Sequence, residues 1–262
     1  MSEPIHQSAL QPGAVQPGAR AFATGETYAA VQAIYSEEYA ALYPSLYIQP
    51  WAQKHALNVA NLTRLLSAAP AIAPTEHAKA QPTWLDLACG QAWHFRQFPH
   101  RAHMLGVDSS AAQLMRAGKG APWASFLQAD IAGLELEPQS FDLITNFWAG
   151  YAYLGSHDRI GSLFTRATEW LKPGGSLYFE ALVGRDLQSF NRSQFAQKMG
   201  FAVVPLSSDY SEWRYEDAGG SHVMTSPDLE FFLELLRPRF DDLQTHHDGA
   251  FMTHVIATGR RD

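Results

Sequence analysis

Residues Trp84 to Asp108 read WLDLACGQAWHFRQFPHRAHMLGVD, and this stretch decides the fold. It opens with Trp84-Leu85-Asp86-Leu87-Ala88, an apolar run long enough for a buried strand and too short for a helix. Ala88, Cys89, Gly90 and Ala92 follow at the point where a strand would turn into a helix. A second apolar run, Met104-Leu105-Gly106-Val107, then ends on Asp108. Strand, small-residue turn, helix, strand and terminal acid make half of a nucleotide-binding βαβ unit. Small side chains let the backbone approach a ligand closely. A carboxylate closing the second strand suits a two-pronged grip on ribose hydroxyls. Any α/β protein can place a strand, a glycine and an acid at this spacing, so the flanking chain has to carry the choice.

Downstream, Ser109-Ser110 signals a helix start, and Ala111 to Ala117 predicts a short helix ending near Gly118 and Gly120. Ala124 to Gln128 and Ser140 to Asn146 predict the third and fourth strands, the latter followed by the aromatic and glycine-rich run Phe147 to Leu154. Ile160, Leu163, Phe164, Ala167, Trp170 and Leu171 share one face of the next helix, which Lys172-Pro173-Gly174-Gly175 stops. Ser176 to Leu182 is the fifth strand. Strands alternating with helices require parallel pairing and right-handed crossovers, hence a doubly wound sheet. Beyond it, Glu212 to Tyr215 and His222 to Thr225 flank an Asp217-Ala218-Gly219-Gly220 turn and predict a hairpin. Ser226 and Pro227 look like the cap and first turn of a helix through Leu236. Phe240 to Thr245 and Phe251 to Thr258, joined by His246-His247-Asp248-Gly249, predict an antiparallel edge pair.

Upstream, residues 1–21 contain QPGA twice and little that could pack, which predicts a flexible tail. Tyr28, Val31, Tyr35, Tyr39, Leu42, Tyr43 and Leu46 recur at helical spacing, either as a packing stripe or as a helix closing over a pocket. Pro44 and Pro50 should break that helix, Leu57 to Leu66 predicts another, and residues 68–83 read as a linker rich in Ala and Pro. The expected organisation is one domain over 22–262. It comprises a helical lid at 22–67, a core at 84–182, an inserted cover at 183–225, and a C-terminal helix with edge strands at 226–259. A chain of 262 residues with 46% hydrophobic content can bury such a core. A net charge of −7 without a lysine–arginine cluster argues against nucleic acid as the main partner. The single cysteine, Cys89, excludes an internal disulfide framework and fits a reducing compartment. No apolar run approaches the roughly 18 residues of a membrane span, and no signal peptide is legible, so the expected location is the cytoplasm.

With these pieces in order, the chain resembles the class I S-adenosylmethionine-dependent methyltransferases of the small-molecule type. The resemblance rests on Leu85-Asp86-Leu87-Ala88-Cys89-Gly90, Gly106-Val107-Asp108-Ser109, Gln128-Ala129-Asp130-Ile131 and Leu171-Lys172-Pro173-Gly174-Gly175. It covers residues 84–182 well and the strand order through 259. It implies an α/β fold with a doubly wound, mostly parallel seven-stranded sheet, an antiparallel C-terminal edge strand, a helical N-terminal lid, and S-adenosyl-L-methionine as cofactor. It further implies that Asp86 organises the turn and meets the cofactor's ammonium, while Ala88 and Gly90 let the backbone pass the methionine portion. Asp108 would take the ribose hydroxyls, with Ser109 near the adenine. Asp130 would accept from the adenine amino group, Ile131 would pack on the ring, and Asn146 and Phe147 would lie beneath the sulfonium. Ala92-Trp93-His94 departs from the family's small-residue turn, and a β-carbon at 92 requires a negative φ.

Methyl transfer from a sulfonium is an in-line displacement, so alignment and exclusion of water are the protein's main work. A base is needed only if the nucleophile starts protonated. Tyr151, Tyr153 and His157, after strand four, stand where the acceptor should approach, as does Glu180 at the end of strand five; each also has a packing or ion-pair role open to it. The aromatic cover (Phe190, Phe195, Phe201, Tyr210, Trp213, Tyr215) and the Tyr28 to Trp51 lead would enclose a small acceptor. The expected activity is methyl transfer to N or O of a small molecule. Alternatives are aminocarboxypropyl transfer, cyclisation releasing methylthioadenosine, and a silent binding domain. A nicotinamide dehydrogenase is disfavoured because Gly-x-Gly-x-x-Gly is absent after strand one. His246-His247-Asp248 reads as a solvated loop and not a metal site, and His100 and His103 as surface residues.

Overall fold

A computed structural model describes residues 34–69, 81–193, 196, 203–217 and 220–262. The expected tail, Tyr28, Val31, Phe195, Phe201 and most of the 68–83 linker lie outside the described residues. In chain order the elements are α1 (Glu37–Tyr43), α2 (Ala52–Ala68), β1 (Thr83–Leu87), β2 (His103–Asp108), α3 (Ala111–Gly120), β3 (Ser125–Gln128) and β4 (Phe141–Asn146). Then come α4 (His157–Trp170), β5 (Leu171–Leu182), α5 (Gly184–Asn191), β6 (Val203–Pro205), β7 (Glu212–Asp217), β8 (Gly220–Thr225), α6 (Leu229–Leu236), β9 (Phe240–His247) and β10 (Met252–Arg260).

The main sheet has seven strands in the order β3-β2-β1-β4-β5-β10-β9, and β6, β7 and β8 form a second, three-stranded sheet. β1 to β5 pair in parallel, whereas β10 runs antiparallel to both β5 and β9. The expected doubly wound sheet with a C-terminal antiparallel pair is therefore present. Strand periodicity sorts its side chains onto two faces. Trp84, Met104, Phe126, Leu143, Tyr178 and Ile256 point to one face, where Leu62, Leu65 and Leu66 of α2 and Leu114 and Ala117 of α3 cover them. Leu85, Val107, Leu127, Ile144, Leu177, Phe179 and Val255 point to the other, under α4 and α6. Strand order reverses between β1 and β4, which opens a crevice at their carboxyl ends.

The segment between β1 and β2 departs from the expectation of a helix. Ala88, Gly90 and Ala92 have φ of 53°, 53° and 50°, outside the right-handed helical region. A helix can start only at Trp93, and Pro99 keeps it from running past Phe98. What fits is one 3₁₀ turn, Phe95–Gln97. The φ of Ala92 is positive, contrary to the requirement set above, and the residue is buried among Trp84 and Phe95. A left-handed alanine costs roughly 1–2 kcal/mol, held in place by that packing.

As expected, α1 ends before Pro44; the chain goes on as a π turn, Pro44–Ile48, closed by Gln49 N–H on the Pro44 carbonyl, and then a 3₁₀ turn, Gln49–Trp51. α6 is capped by Asp228, whose carboxylate accepts from Phe231 N at 3.0 Å, and not begun at Ser226 and Pro227.

Gly106, in the middle of β2, faces Cys89: a β-carbon there would sit 2.8 Å from its Sγ and 2.9 Å from the Phe126 ring. Gly106→Ala is expected to destabilise the protein by about 1–3 kcal/mol through overpacking, read as a lower urea midpoint at unchanged slope.

Candidate active site

The site is built from strand ends. At the end of β1, Asp86 is buried, and its Oδ1 accepts from Thr145 Oγ1 of the neighbouring β4 at 2.6 Å. Burial pushes its carboxyl up to about 8, so it is protonated at neutral pH in the ligand-free protein. The left-handed turn after β1 aims the Gly90 amide at Asp108 Oδ2, 2.8 Å away. The Ser110 amide holds Asp108 Oδ1 at 2.8 Å, so the last residue of β2 is gripped from both sides. Burial raises Asp108, and the Ser110, Gly90 and Ser109 amides oppose that rise. After β3, Asp130 accepts from Ala132 N at 2.9 Å and starts the turn carrying Ile131.

Asp86, Ala88, Gly90, Asp108, Ser109, Asp130, Ile131 and Phe147 all line one cavity of about 130 Å³. Asn146 does not. Its Nδ2 donates to the Leu87 carbonyl at 2.8 Å and its Oδ1 accepts from Tyr151 N, which ties β4 to β1. Gln91, Trp93, His94 and Trp148 line the same cavity, as do Tyr35 and Tyr43, and those four were not singled out from the sequence as cavity residues. The spacing of Tyr35 and Tyr43 did carry the signal for a helix closing over a pocket, whereas nothing in the pattern marks Trp148. Burial lowers His94, which keeps it neutral; its Nε2 lies 3.1 Å from the Asn58 amide and its ring 4.0 Å from Phe147.

The three candidate bases after β4 separate. Tyr151 is fully buried, packs on Phe164 and Phe232, and accepts from Leu182 N, so it belongs to the core and not to a pocket wall. His157 is exposed in the first turn of α4 with its ring 5.6 Å from Phe231. Neither lines the cavities. Tyr151 and Tyr153 lie on the 3₁₀ turn Gly150–Leu154 and His157 starts α4, so the three side chains go different ways. Tyr153 remains, lining this cavity and a second one.

Glu180 is an ion-pair partner. Its carboxylate takes Lys54 Nζ at 2.5 and 2.6 Å, Asn58 Nδ2 at 2.8 Å and Trp148 N at 2.7 Å. Burial would raise it, but Lys54, His254 and the Trp148 amide hold it at about 2. It fixes the Trp148-Ala149 turn, where φ is 56° and 47°. Lys54 also sits 3.9 Å from the Trp148 ring centre.

The second cavity holds about 270 Å³ between the lid, the three-stranded sheet and the loop before β10. Leu46, Trp51, Leu182, Phe190, Trp213 and Phe251 wall it, and it shares Tyr35, Tyr43, Trp148 and Tyr153 with the first. Among the described residues lining it are Glu216 and Asp217 and no lysine or arginine. No described helix is long and apolar enough to cross a membrane. His246 and His247 end β9 and do not form a loop; Gly249 N donates to His247 Nδ1. His100 and His103 are exposed, as expected.

Residues 85–175 match a family model described as a methyltransferase domain. Over 97 residues the chain is 35% identical to trans-aconitate 2-methyltransferase of Paracidovorax citrulli, a stretch that is 36% of this chain and 36% of that protein. Among solved structures it superposes on a DhpI–SAH complex with a TM-score of 0.59 at 15% identity, covering 90% of this chain and 98% of that one. SAM-bound CalS10, an amino pentose methyltransferase from Micromonospora echinaspora, gives 0.55 at 17% identity over 86% and 98%. At such identities the structures establish the fold.

Proposed function

Because the chain carries a methyltransferase domain on the fold of the class I S-adenosylmethionine-dependent methyltransferases, we propose that it transfers a methyl group from S-adenosylmethionine to an N or O atom of a small acceptor. The observation that carries this is the half-buried Asp108, gripped by two backbone amides beside an aromatic chamber that adjoins the first cavity. The residues fit the cofactor. The small side chains of Ala88 and Gly90 leave the turn open, Asp108 offers acceptors for sugar hydroxyls, and Asp130 with Ile131 offers an acceptor beside an apolar wall. When bound, the cofactor supplies an activated methyl group on a sulfonium. The chain's own residues then bind, orient and exclude water. Tyr35, Tyr43 and Trp148 stand between the two cavities and would set the approach of the acceptor.

The similarity to a trans-aconitate methyltransferase raises a carboxylate acceptor. Against it, Glu216 and Asp217 with no lining lysine or arginine make the second cavity poor in anion-binding groups. A neutral or cationic acceptor suits it better. The test is mass spectrometry of the products formed from S-adenosylmethionine and panels of amines, phenols and carboxylates. S-adenosylhomocysteine is expected, and methylthioadenosine would replace methyl transfer by a different use of the same cofactor.

Asp86 gives the binding a pH dependence. Its carboxyl, held up at about 8 by burial, should lose its proton when a cofactor ammonium arrives. Affinity is therefore expected to tighten as pH rises toward about 8 and to level off above. Calorimetry in buffers of different ionisation heat should show proton release below that pH, absent in Asp86→Asn. The sign for folding is opposite: a raised carboxyl favours the folded state at low pH, and that contribution fades as pH climbs toward 8.

A further inference from the structure

We infer that Tyr153, His222 and Asp217 form a proton relay for the acceptor, which is therefore a hydroxyl or amine that sheds a proton on methylation and not a carboxylate. This deepens the function proposed above and rests on it. Tyr153 Oη lies 2.6 Å from His222 Nδ1, and His222 Nε2 lies 2.8 Å from Asp217 Oδ1. Asp217 Oδ2 also accepts from the hydroxyls of Tyr39 and Tyr47, each at 2.7 Å. His222 is fully buried, and the Tyr215 ring stacks on it at 4.2 Å and 6°.

The network assigns the tautomer. An ionised carboxylate faces Nε2, so that nitrogen carries the hydrogen. Nδ1 keeps its lone pair, and the Tyr153 hydroxyl donates to it. An aspartate holding an imidazole in one tautomer while the other nitrogen takes a proton is the arrangement of a general base. Its parts come from three separate regions: Tyr39 and Tyr47 from the lid, Asp217 and His222 from the β7–β8 hairpin, and Tyr153 from the turn after β4. They meet where the two cavities join, because Tyr35 and Tyr153 line both and their hydroxyls are 3.0 Å apart.

The proton step balances as follows. The acceptor's X–H bond breaks with its electron pair left on X, and the proton goes to Tyr153 Oη as the tyrosine's own proton passes to His222 Nδ1. The imidazolium so formed lies against the Asp217 carboxylate. X then takes the methyl group, while the carbon–sulfur pair stays on sulfur. A carboxylate brings no proton at neutral pH and would meet Glu216 and Asp217. The titratable groups facing His222 and Tyr153 are Tyr35, Tyr39 and Tyr47 from the lid and Tyr215 and Asp217 from β7, with Asp108 acting on Tyr35 across the first cavity. Hydrogen bonds from His222, Tyr39 and Tyr47 outweigh burial and hold Asp217 at about 2, so the anion at the end of the relay persists throughout the working range.

The test uses the full chain with 4-nitrophenol as a coloured stand-in for a protonated acceptor. The absorbance of the bound phenolate is expected to appear at least about one pH unit below the transition of the free phenol. His222→Gln and Tyr153→Phe should each abolish that displacement, with S-adenosylmethionine affinity by calorimetry kept within about twofold. With an acceptor found in the panels above, both variants should lower kcat roughly 100-fold and leave the KM for the methyl donor unchanged. An undisplaced transition in the unaltered protein, no binding of the probe, an equal displacement in the variants, or carboxylates turned over faster than phenols and amines would each overturn the relay. The proposed methyl transfer fails separately, by no S-adenosylmethionine binding to the unaltered protein.

Discussion

Glu180→Ala is expected to destabilise the protein by roughly 3–5 kcal/mol, the cost of leaving one member of a buried ion pair without its partner. Lys54 and Glu180 are both almost fully out of water, at 3% and 0% side-chain exposure, so solvent cannot take over from the missing carboxylate. Lys54→Met should cost a similar amount. The double variant Lys54→Met with Glu180→Leu should recover most of the loss, since well-packed apolar residues often replace a buried pair at little cost. Urea unfolding of the four proteins checks the cycle, and simple additivity of the two single effects would contradict it. The pair also predicts acid lability. Glu180 is held at about 2, below its ordinary 4.5, so its contribution is present above about pH 4.5 and lost as pH falls toward 2. The double variant should lack that portion of the acid transition. Because the same carboxylate accepts from Trp148 N, the single variant is further expected to loosen the wall between the cavities, read as a change in Trp fluorescence.

Asp108→Ala is expected to weaken S-adenosylmethionine binding about 100-fold or more. Two hydrogen bonds to a charged acceptor contribute roughly 1.5 kcal/mol or more each, and about 3 kcal/mol corresponds to a hundredfold in affinity. The same change frees the Gly90 and Ser110 amides that now shape the turn after β1 and the start of α3. Asp108→Asn keeps an oxygen acceptor and should lose less. Asp130→Ala should cost about tenfold, since one hydrogen bond beside an apolar contact is at stake. Calorimetry with the cofactor is the measurement. Affinity unchanged in Asp108→Ala would place the nucleoside elsewhere.

The parts of the molecule that follow local rules were legible from the sequence. Alternating strands and helices, the Ser110 cap of α3 and the proline–glycine stop after Trp170 each depend on neighbours within a few residues. That Asp86, Asp108 and Asp130 sit at or just past strand ends was legible for the same reason, and all three line one cavity. The helix expected after β1 was misread because periodicity says nothing of left-handed positions at 88, 90 and 92, which leave too little chain before Pro99 for a helix. The resemblance implied Asn146 beneath the sulfonium; its amide bonds the Leu87 carbonyl and Tyr151 N, and it does not line the cavity. The Tyr153–His222–Asp217 line was invisible, since His222 lies 69 positions from Tyr153 and hairpin pairing alone sets it opposite Tyr215. For the tyrosines ahead of β1 the spacing left packing and pocket closure both open, and Tyr35 and Tyr43 line the cavities. The two aspects of them that matter most, their hydroxyl partners and the shared cavity wall, depend on a tertiary meeting that no spacing encodes.

The missing crossover helix has a consequence for how the chain comes together. The roof over β1 and β5 is supplied by α2, whose Asn58 and Asn61 reach the Tyr178 hydroxyl, and that hydroxyl also binds His254 of β10. The polar contacts between α2 and β5 are thus complete only once β10 has inserted. Contacts between the two ends of the sequence of this kind carry a large loop-closure entropy and slow folding. During synthesis Asn58 and Asn61 of α2 wait for the Tyr178 hydroxyl, and that hydroxyl waits for its His254 partner. A nascent chain halted before β10 is expected to be held by chaperones, and α2 to stay open to proteases until β10 is released.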